Sequence, residues 1–226
     1  MLLGQGVMIN WSDVSPEHRA AYYEWHSREH MPGRVRIEGF LRGRRYLKAD
    51  AGRDFLVLYE VADVNVLTGA NYLVKANAPS ELTRRTTPVV KNSVRGLGRV
   101  KQSLGIGSGG CALTLRFDPA PGADDRLENY LAREALPALA AIPEIVGAHL
   151  IVADREASSI VPEERKNRPT VIPNWIVVLE GISLDALAQA CDAHLSAQKL
   201  TAHGCGQEIA RETYTLQLLV PKPRVA

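Results

Sequence analysis

Two short stretches, Glu29-His30-Met31-Pro32 and Glu134-Ala135-Leu136-Pro137, align with each other at an offset of 105 residues. Further aligned positions are Arg28 with Arg133, Ile37 with Ile142 and, at an offset of 120, residues 55–60 with 175–180. A repeat of this length indicates that one supersecondary unit occurs twice in the chain. The sequence therefore predicts a duplicated architecture.

Both halves show the same predicted order of strands and helices. In the first half, strands are predicted at 7–11, 39–48, 55–61 and 93–102, with helices at about 15–31 and 65–76. In the second half, strands are predicted at 111–117, 145–153, 174–179 and 208–220, with helices at 124–139 and 184–200. This is the β-α-β-β-α-β order of ferredoxin-like folds. We predict an α+β fold of two tandem ferredoxin-like repeats, residues 1–104 and 105–226.

The first helix and the sheet carry more specific expectations. The helix begins at Ser15-Pro16 and is expected to end near Met31, because Pro32 and Gly33 disfavour continuation. Strand 39–48 has no simply polar side, which indicates burial of both sheet faces. Two such sheets can pair face to face, so we expect one α/β barrel of the dimeric type within the chain, with a cavity between the halves.

Two connecting segments stand out in the second half. The glycine-rich run 105–110 matches a dinucleotide-binding fingerprint by letters, but it joins the repeats and opens a strand, so we interpret it as a linker. An insertion at about 155–173 follows the second strand of the second repeat. It is either a solvated loop or a lid or dimer contact.

Composition excludes several classes of protein. The 226 residues are 46% hydrophobic and 23% charged, with a net charge of +2 and no clustered basic run, which argues against nucleic-acid binding. No apolar stretch approaches the roughly 20 residues that span a bilayer, and the first residues do not resemble a signal peptide. The three cysteines are irregularly spaced, which favours a reducing compartment. We expect a cytoplasmic protein without membrane or nucleic-acid partners.

The run Trp25-His26-Ser27-Arg28-Glu29-His30-Met31-Pro32, followed by Gly39-Phe40 and Arg44-Arg45-Tyr46, resembles the dimeric α/β-barrel superfamily. That group includes EthD-like proteins, stress-responsive A/B-barrel proteins, muconolactone isomerases and antibiotic-biosynthesis-type monooxygenases. The resemblance covers nearly the whole chain as two fused copies. It implies a small apolar or aromatic substrate and often no cofactor. Some branches bind heme, which stays an alternative, and a homodimer is a further possibility.

His26 and His30 are the candidate catalytic residues. They lie four residues apart on one helix face, within a stripe of aromatic residues that includes Tyr22, Tyr23 and Trp25. The aligned positions of the second half carry Leu131 and Ala135, which indicates a single site in the first half. The resemblance places a histidine just before the proline, so His30 would act as general acid or base or would hydrogen-bond a substrate oxygen. The alternative is two packed core histidines.

Four further residues are candidates for binding the substrate. Arg44 and Tyr46 share a strand face with Phe40 and could hold a carboxylate or enolate, or else form a solvated edge. Their counterpart in the second half is His149. Trp11 and Asn10 end the first strand, and alternation alone does not decide which of the two lines the cavity; Trp11 is our candidate. Tyr23, beside the histidines, completes the set.

Metal-binding patterns are weak. Residues 26–30 spell H-x-x-E-H, a zinc-protease pattern, but no third ligand follows on a downstream helix. Cys191, His194, His203 and Cys205 do not have a standard zinc spacing, and Cys191 falls in an alanine-rich helix. We expect no metal site.

Two functions remain open at this point. The first is a cofactor-independent isomerase, cyclase, lyase or oxygenase-like enzyme that acts on a small apolar carbonyl or aromatic compound by His-assisted proton transfer. The second is a non-catalytic barrel that binds or sequesters a hydrophobic small molecule. An enclosed apolar cavity with convergent polar groups would favour the enzyme, and a barrel filled with side chains would favour the second function.

Overall fold

The computed structural model describes residues 1–166 and 169–223. Its first half contains four strands. They are β1 (Gly6–Asp13), β2 (Phe40–Lys48), β3 (Phe55–Val61) and β4 (Lys91–Gly105). The helices between them are α1 (Arg19–Trp25), α2 (Met31–Val35), α3 (Ala70–Asn77) and α4 (Glu81–Thr86). A 3-10 turn, Pro16–His18, precedes α1, and two others occupy Val64–Leu67 and Thr87–Val89.

The second half has the same order of elements plus an insertion. Its strands are β5 (Cys111–Pro119), β6 (Ile145–Ala153), β7 (Thr170–Val171), β8 (Trp175–Gly181) and β9 (Cys205–Pro221). Its helices are α5 (Asp124–Tyr130), α6 (Leu136–Ala140), α7 (Arg155–Ser159), α8 (Leu184–His194) and α9 (Ala197–Ala202). The predicted helix 184–200 is thus two helices, which break where Ser196 begins α9 by accepting a hydrogen bond from the Lys199 N–H.

Eight antiparallel strands close into a barrel. The order is β1-β3-β2-β9-β5-β8-β6-β4, and β4 returns to pair with β1. Two long strands join the halves: β4 pairs first with β1 and then with β6, and β9 pairs with β5 and β2. The chain is therefore a mixed α+β protein with a closed barrel. The short β7 adds to β4 in parallel outside this closed set.

The first long helix does not end at Met31 as the sequence predicted. It passes through a π-helical turn, His26–His30, and continues as α2 to Val35. The Met31 N–H bonds to the His26 carbonyl, five residues back, so Pro32 falls in the first turn of α2, where a missing N–H costs least. The second half has the same device, with a π turn at Leu131–Ala135 before Pro137.

The prediction of a cavity between the halves is also wrong. Side chains fill the barrel interior, among them Ile9, Trp11, Leu58, Ile176 and Tyr214, all at most 2% exposed. An eight-stranded barrel is just wide enough for side chains to fill it. The helices cover the outer face of the barrel, and a second layer of core lies between them and the sheet. Any ligand site has to lie in that outer layer or on the surface.

The insertion is structured over most of its length and packs on the first half. Ser158 exchanges hydrogen bonds with the backbone of Leu97 on β4, and the Glu163 N–H donates to the Asn77 side chain at the end of α3. Residues 167 and 168 of the predicted insertion lie outside the described residues. Among those that are described, no helix is long and apolar enough to span a bilayer.

Candidate functional site

A narrow cleft of about 60 Å³ lies between the first long helix and the outer face of the first-half sheet. We call it the helix–sheet cleft. Its floor is the helix-facing side of β1, β3 and β4, its wall is the helix, and part of the insertion covers it. The residues lining it are Met8, Asn10, Ser12, Tyr22, Trp25, His26, His30, Arg34, Val57, Tyr59, Thr87, Val90, Arg95, Glu164 and Arg165. It is small beside the roughly 300–1,000 Å³ of pockets for drug-sized ligands.

His26 and His30 both line the cleft, in the π turn. The ring of His26 is stacked on Tyr22 with centroids 5.1 Å apart, and the ring of His30 lies 4.3 Å from that of Trp25. π turns are frequent at functional sites because they change the direction of side chains within a helix. The turn keeps both imidazoles at one end of an aromatic wall.

The environment of His26 fixes its protonation. The Arg45 Nη1 donates to His26 Nδ1 at 3.2 Å, and a guanidinium cannot accept, so Nε2 carries the proton. Burial, and secondly the charge of Arg45, lowers the pKa of His26 well below its usual value. His26 is therefore a neutral N–H donor at physiological pH.

The floor of the cleft contains buried polar atoms without a hydrogen-bond partner. The Asn10 Nδ2 donates to Ser12 Oγ at 3.3 Å, while Asn10 Oδ1 and the Tyr59 hydroxyl have no hydrogen-bond partner among the residues that the structure describes. Burial raises the pKa of Tyr59, so its hydroxyl keeps its proton as a donor. The buried Nε of Arg95, which also lines the cleft, is a third such atom. Buried polar groups are nearly always satisfied in folded proteins, and three exceptions in one cleft indicate that something else supplies the partners.

The insertion contributes one side of the cleft. Glu164 pairs with Arg34 of α2, and both residues line the cleft and an adjoining groove of about 170 Å³ beside α3 and α4. The ion pair thus stands at the boundary between the cleft and the groove. The alternative of a freely solvated loop does not describe this part of the insertion.

The structure separates the predicted site residues into two groups. Arg44, Tyr46 and Trp11 point into the barrel, at most 1% exposed, and do not line the cleft. The Trp11 Nε1 donates to Thr114 Oγ1 at 3.2 Å. Tyr23 is a half-buried residue of α1, and its hydroxyl accepts a hydrogen bond from the Gln217 side chain. Of the six predicted residues, only the two histidines meet in the cleft.

Arg44 belongs to a buried polar network on the barrel axis. Its guanidinium lies 2.9 Å from Glu60 and 2.5 Å from Glu180, and it donates to the Tyr46 hydroxyl. Burial raises the pKa of Glu180, but the hydrogen bond from His149 and the charge of Arg44 outweigh it and bring the pKa to about 2. Burial conversely lowers the pKa of His149. This network holds the two halves of the barrel together.

The corresponding space in the second half is filled by apolar side chains. At the offset of 105, Asn10 aligns with Leu115, Ser12 with Phe117 and His26 with Leu131; at the offset of 120, Tyr59 aligns with Leu179. All four apolar residues belong to one buried cluster beneath α5 and α8. The polar cleft is thus a feature of the first half.

Sequence reasoning missed Tyr59, Arg95 and Arg34, and it chose Trp11 where the cleft uses Asn10. A signal was present in the alternation of β1, since Met8, Asn10 and Ser12 share a face that differs from Val7, Ile9 and Trp11. The alternation does not show which face of β1 points to the helices and which points into the barrel. The cavity was assumed to lie inside the barrel, so the inward residues were selected.

A wider groove of about 1,030 Å³ lies at one end of the barrel, lined by Arg53, Lys91 and Glu212 among others. Two of the charged residues that line it, Arg53 and Glu212, form an ion pair at 3.3 Å. Among the described residues no cluster of three His, Cys, Asp or Glu side chains could hold a metal ion. In the H-x-x-E-H pattern, Glu29 instead accepts hydrogen bonds from Ser80 and Thr83 of the α4 N-terminus.

The fold is shared with solved structures at low sequence identity. An anthrone oxidase-like protein superposes with a TM-score of 0.66 and 13% identity, over 97% of this chain and 93% of its own. A proposed monooxygenase of Fusobacterium nucleatum superposes with a TM-score of 0.64 and 9% identity, over 99% of this chain and 98% of its own. A heme-binding protein of Thermus thermophilus superposes with a TM-score of 0.52 and 10% identity, over 94% of this chain and 91% of its own.

These likenesses show a ferredoxin-type α/β barrel. Neither a protein-family model nor a curated protein sequence matches the chain.

Proposed function

We propose that the chain is a small-molecule enzyme of the oxygenase or isomerase type, with its one site in the helix–sheet cleft. The observation that carries this proposal is the convergence of unbonded Asn10 Oδ1 and Tyr59 hydroxyl with two histidines in an aromatic-walled cleft. A cleft with a few convergent polar groups is the usual form of a small-molecule site. The names of the structurally similar proteins favour the oxygenase type.

The proposed chemistry is proton transfer at a carbon next to a carbonyl. His30, at the cleft, takes the proton, and the neutral Tyr59 hydroxyl and the His26 N–H donate to the developing enolate oxygen. In an isomerase the proton returns to another carbon. In an oxygenase the electron-rich enolate reacts with O₂, so that a CH₂ group becomes a carbonyl and water is released.

The substrate is proposed to be a small, mostly apolar carbonyl or aromatic compound. Tyr22, Trp25 and Val57 provide flat apolar walls, which suits an aromatic ring. Heme does not fit the residues present. The cleft of about 60 Å³ is far smaller than a porphyrin, and apolar side chains occupy the corresponding space in the second half. No step is assigned to heme.

Two fused ferredoxin-like copies, residues 1–104 and 105–226, are our proposal for the origin of the fold. The equal order of elements and the π turns before Pro32 and Pro137 support it. One chain closes the barrel, so a homodimer would use the outer surface. We propose a cytoplasmic location, because the three irregularly spaced cysteines favour a reducing compartment.

The test uses 2-indanone, a small ketone with acidic C–H bonds. Deuterium uptake at the acidic carbon is measured by NMR in D₂O under argon, and O₂ consumption is measured separately in air. We expect both rates above background, and a loss of at least about 100-fold in His30→Ala. His18→Ala, an exposed histidine just before α1, is the control and should keep the rates. Equal rates in His30→Ala would contradict the proton-transfer role.

The alternative is a non-catalytic protein that binds a hydrophobic small molecule. The side-chain-filled barrel interior is the outcome that the sequence analysis assigned to this alternative, and the cleft could also serve binding alone. Ligand-induced stabilisation without deuterium exchange or O₂ consumption, abolished by changes in the cleft, would favour it.

A further inference from the structure

Arg95 is a buried cation in the floor of the helix–sheet cleft. It lies on β4, directly opposite Asn10 in the β1–β4 ladder, and is 3% exposed. The next row of the sheet places Tyr59 opposite Met8 on β1. Arg95, Asn10 and Tyr59 therefore stand on one sheet face, beneath the aromatic wall that carries the histidines.

Arg95 has no acidic partner among the described residues. Within residues 1–166 and 169–223 no carboxylate lies within 4 Å of its guanidinium. Its Nη2 donates to the Tyr72 hydroxyl at 3.2 Å and contacts Met8 Sδ at 3.4 Å, while its buried Nε has no partner in the described part of the chain. A buried charge is ordinarily paired, because its desolvation is otherwise uncompensated.

Three of the other four buried arginines have an acidic partner. Arg34 is paired with Glu164, Arg44 with two glutamates, and Arg116 with Glu212. Arg45 also lacks a carboxylate, but it donates to three side chains and lies over the Tyr23 ring at 4.8 Å. Arg95 alone in this group combines a missing counter-ion with an unbonded buried nitrogen.

The charges around the cleft also favour an anion. Among the described residues, its lining contains Arg34, Arg95 and Arg165 and one acidic residue, Glu164. We propose that Arg95 binds an anionic oxygen, a carboxylate or a phenolate, of a small aromatic ligand, with the Tyr59 hydroxyl as second donor. This inference rests on the proposed function only in using the same cleft. Charge-assisted hydrogen bonds of this kind are about twice as strong as neutral ones.

The experiment compares anionic probes with neutral ones of similar shape. The pairs are benzoate with benzamide, and 4-nitrophenolate at pH 8 with 4-nitroanisole. Binding is followed by NMR on ¹⁵N-labelled protein through the indole N–H signals. Trp25 lines the cleft, whereas Trp11 lies in the barrel interior and Trp175 in the second-half core, so the Trp25 signal should move and the others should not.

In the wild type we expect one anion or both to bind at least about tenfold more tightly than the neutral partner. The ratio should fall below about threefold in Arg95→Gln and persist in Arg99→Gln, a control on the same strand whose side chain is 52% exposed. A preference confined to benzoate identifies a carboxylate, and one confined to 4-nitrophenolate a phenolate.

A second readout separates a binding role from a structural one. Arg95→Met removes a buried unpaired charge, so the melting temperature of the ligand-free protein should rise by a few degrees. A fall of similar size would overturn the inference. If charged and neutral probes bind the cleft equally, the anion site is wrong and the proposed function stands. If no probe moves the Trp25 signal, both are contradicted.

Discussion

Replacement of Arg44 with methionine tests the buried network on the barrel axis. The side chains of Arg44, Glu60 and Glu180 are all fully buried, and the cation lies within 3 Å of both carboxylates. Methionine has a similar length but no charge. The variant therefore leaves two carboxylates inside the barrel, with Arg42 still bonded to Glu60.

The expected loss of unfolding free energy follows from the carboxylates that lose Arg44 as their partner. Removal of one partner from a buried ion pair typically costs about 3–5 kcal/mol. In a chain of this size each kcal/mol lowers the melting temperature by about 2–4 °C, so a fall of roughly 10 °C is expected at pH 7. The wild-type pKa of Glu180, about 2 against a usual 4.5, corresponds to about 3 kcal/mol from this one group.

The pH dependence has a definite sign. A carboxyl pKa that folding depresses stabilises the protein above the unfolded pKa, and this stabilisation is lost as the pH falls from about 4.5 towards 2. Without Arg44, burial raises the pKa of a glutamate instead, so the folded variant binds a proton that the unfolded chain releases. The difference between variant and wild type should therefore be large at pH 7 and smaller at pH 4.

Urea unfolding followed by circular dichroism at both pH values measures the difference. Arg99→Met, which breaks an exposed pair with Asp154, is the control and should change stability by less than about 1 kcal/mol. Adding Glu180→Gln to Arg44→Met should recover part of the loss. A cost below about 1 kcal/mol, or one equal at pH 7 and pH 4, would refute this description of the network.

Three further predictions concern the histidines and the insertion. His149→Ala should lower the melting temperature, because it removes the donor to Glu180, and it should affect turnover less than His30→Ala does. Folding lowers the pKa of His26, so its neutral form contributes stability above about pH 6.5, and this contribution is lost as the pH falls through the pKa of the folded state. His26→Phe should therefore make the free energy of unfolding depend less on pH below about pH 6.5. Glu164→Ala should join the cleft to the adjoining groove, and titration should show 2-naphthoate gaining affinity severalfold relative to benzoate.

The architecture was largely predictable from local patterns. Strands 55–61 and 145–153 agree with β3 and β6 to the residue, because apolar runs bounded by turns define buried strands well. The end of the first helix was missed. A π turn depends on which carbonyl the Met31 N–H reaches, and the sequence pattern before Pro32 does not encode this in a recognisable way.

The site was only partly predictable. Helical spacing brought His26 and His30 together correctly, since residues four apart share a face in any helix. Alternation likewise separated Asn10 from Trp11, but it could not tell which face of β1 meets the helices. Arg95 was missed because its significance lies in the absence of a counter-ion among the described residues, which depends on how elements distant in sequence pack around it.

The most direct test of a single site in the first half transfers second-half residues into the cleft. Asn10→Leu with Ser12→Phe reproduces Leu115 and Phe117, which fill the corresponding space of the second half. The measurement is the Trp25 indole shift on titration with benzoate and benzamide, together with the melting temperature. We predict that the shift disappears while the protein stays folded with an unchanged or higher melting temperature. A folded double variant that still binds the probes with wild-type affinity would contradict the assignment of the site to the helix–sheet cleft.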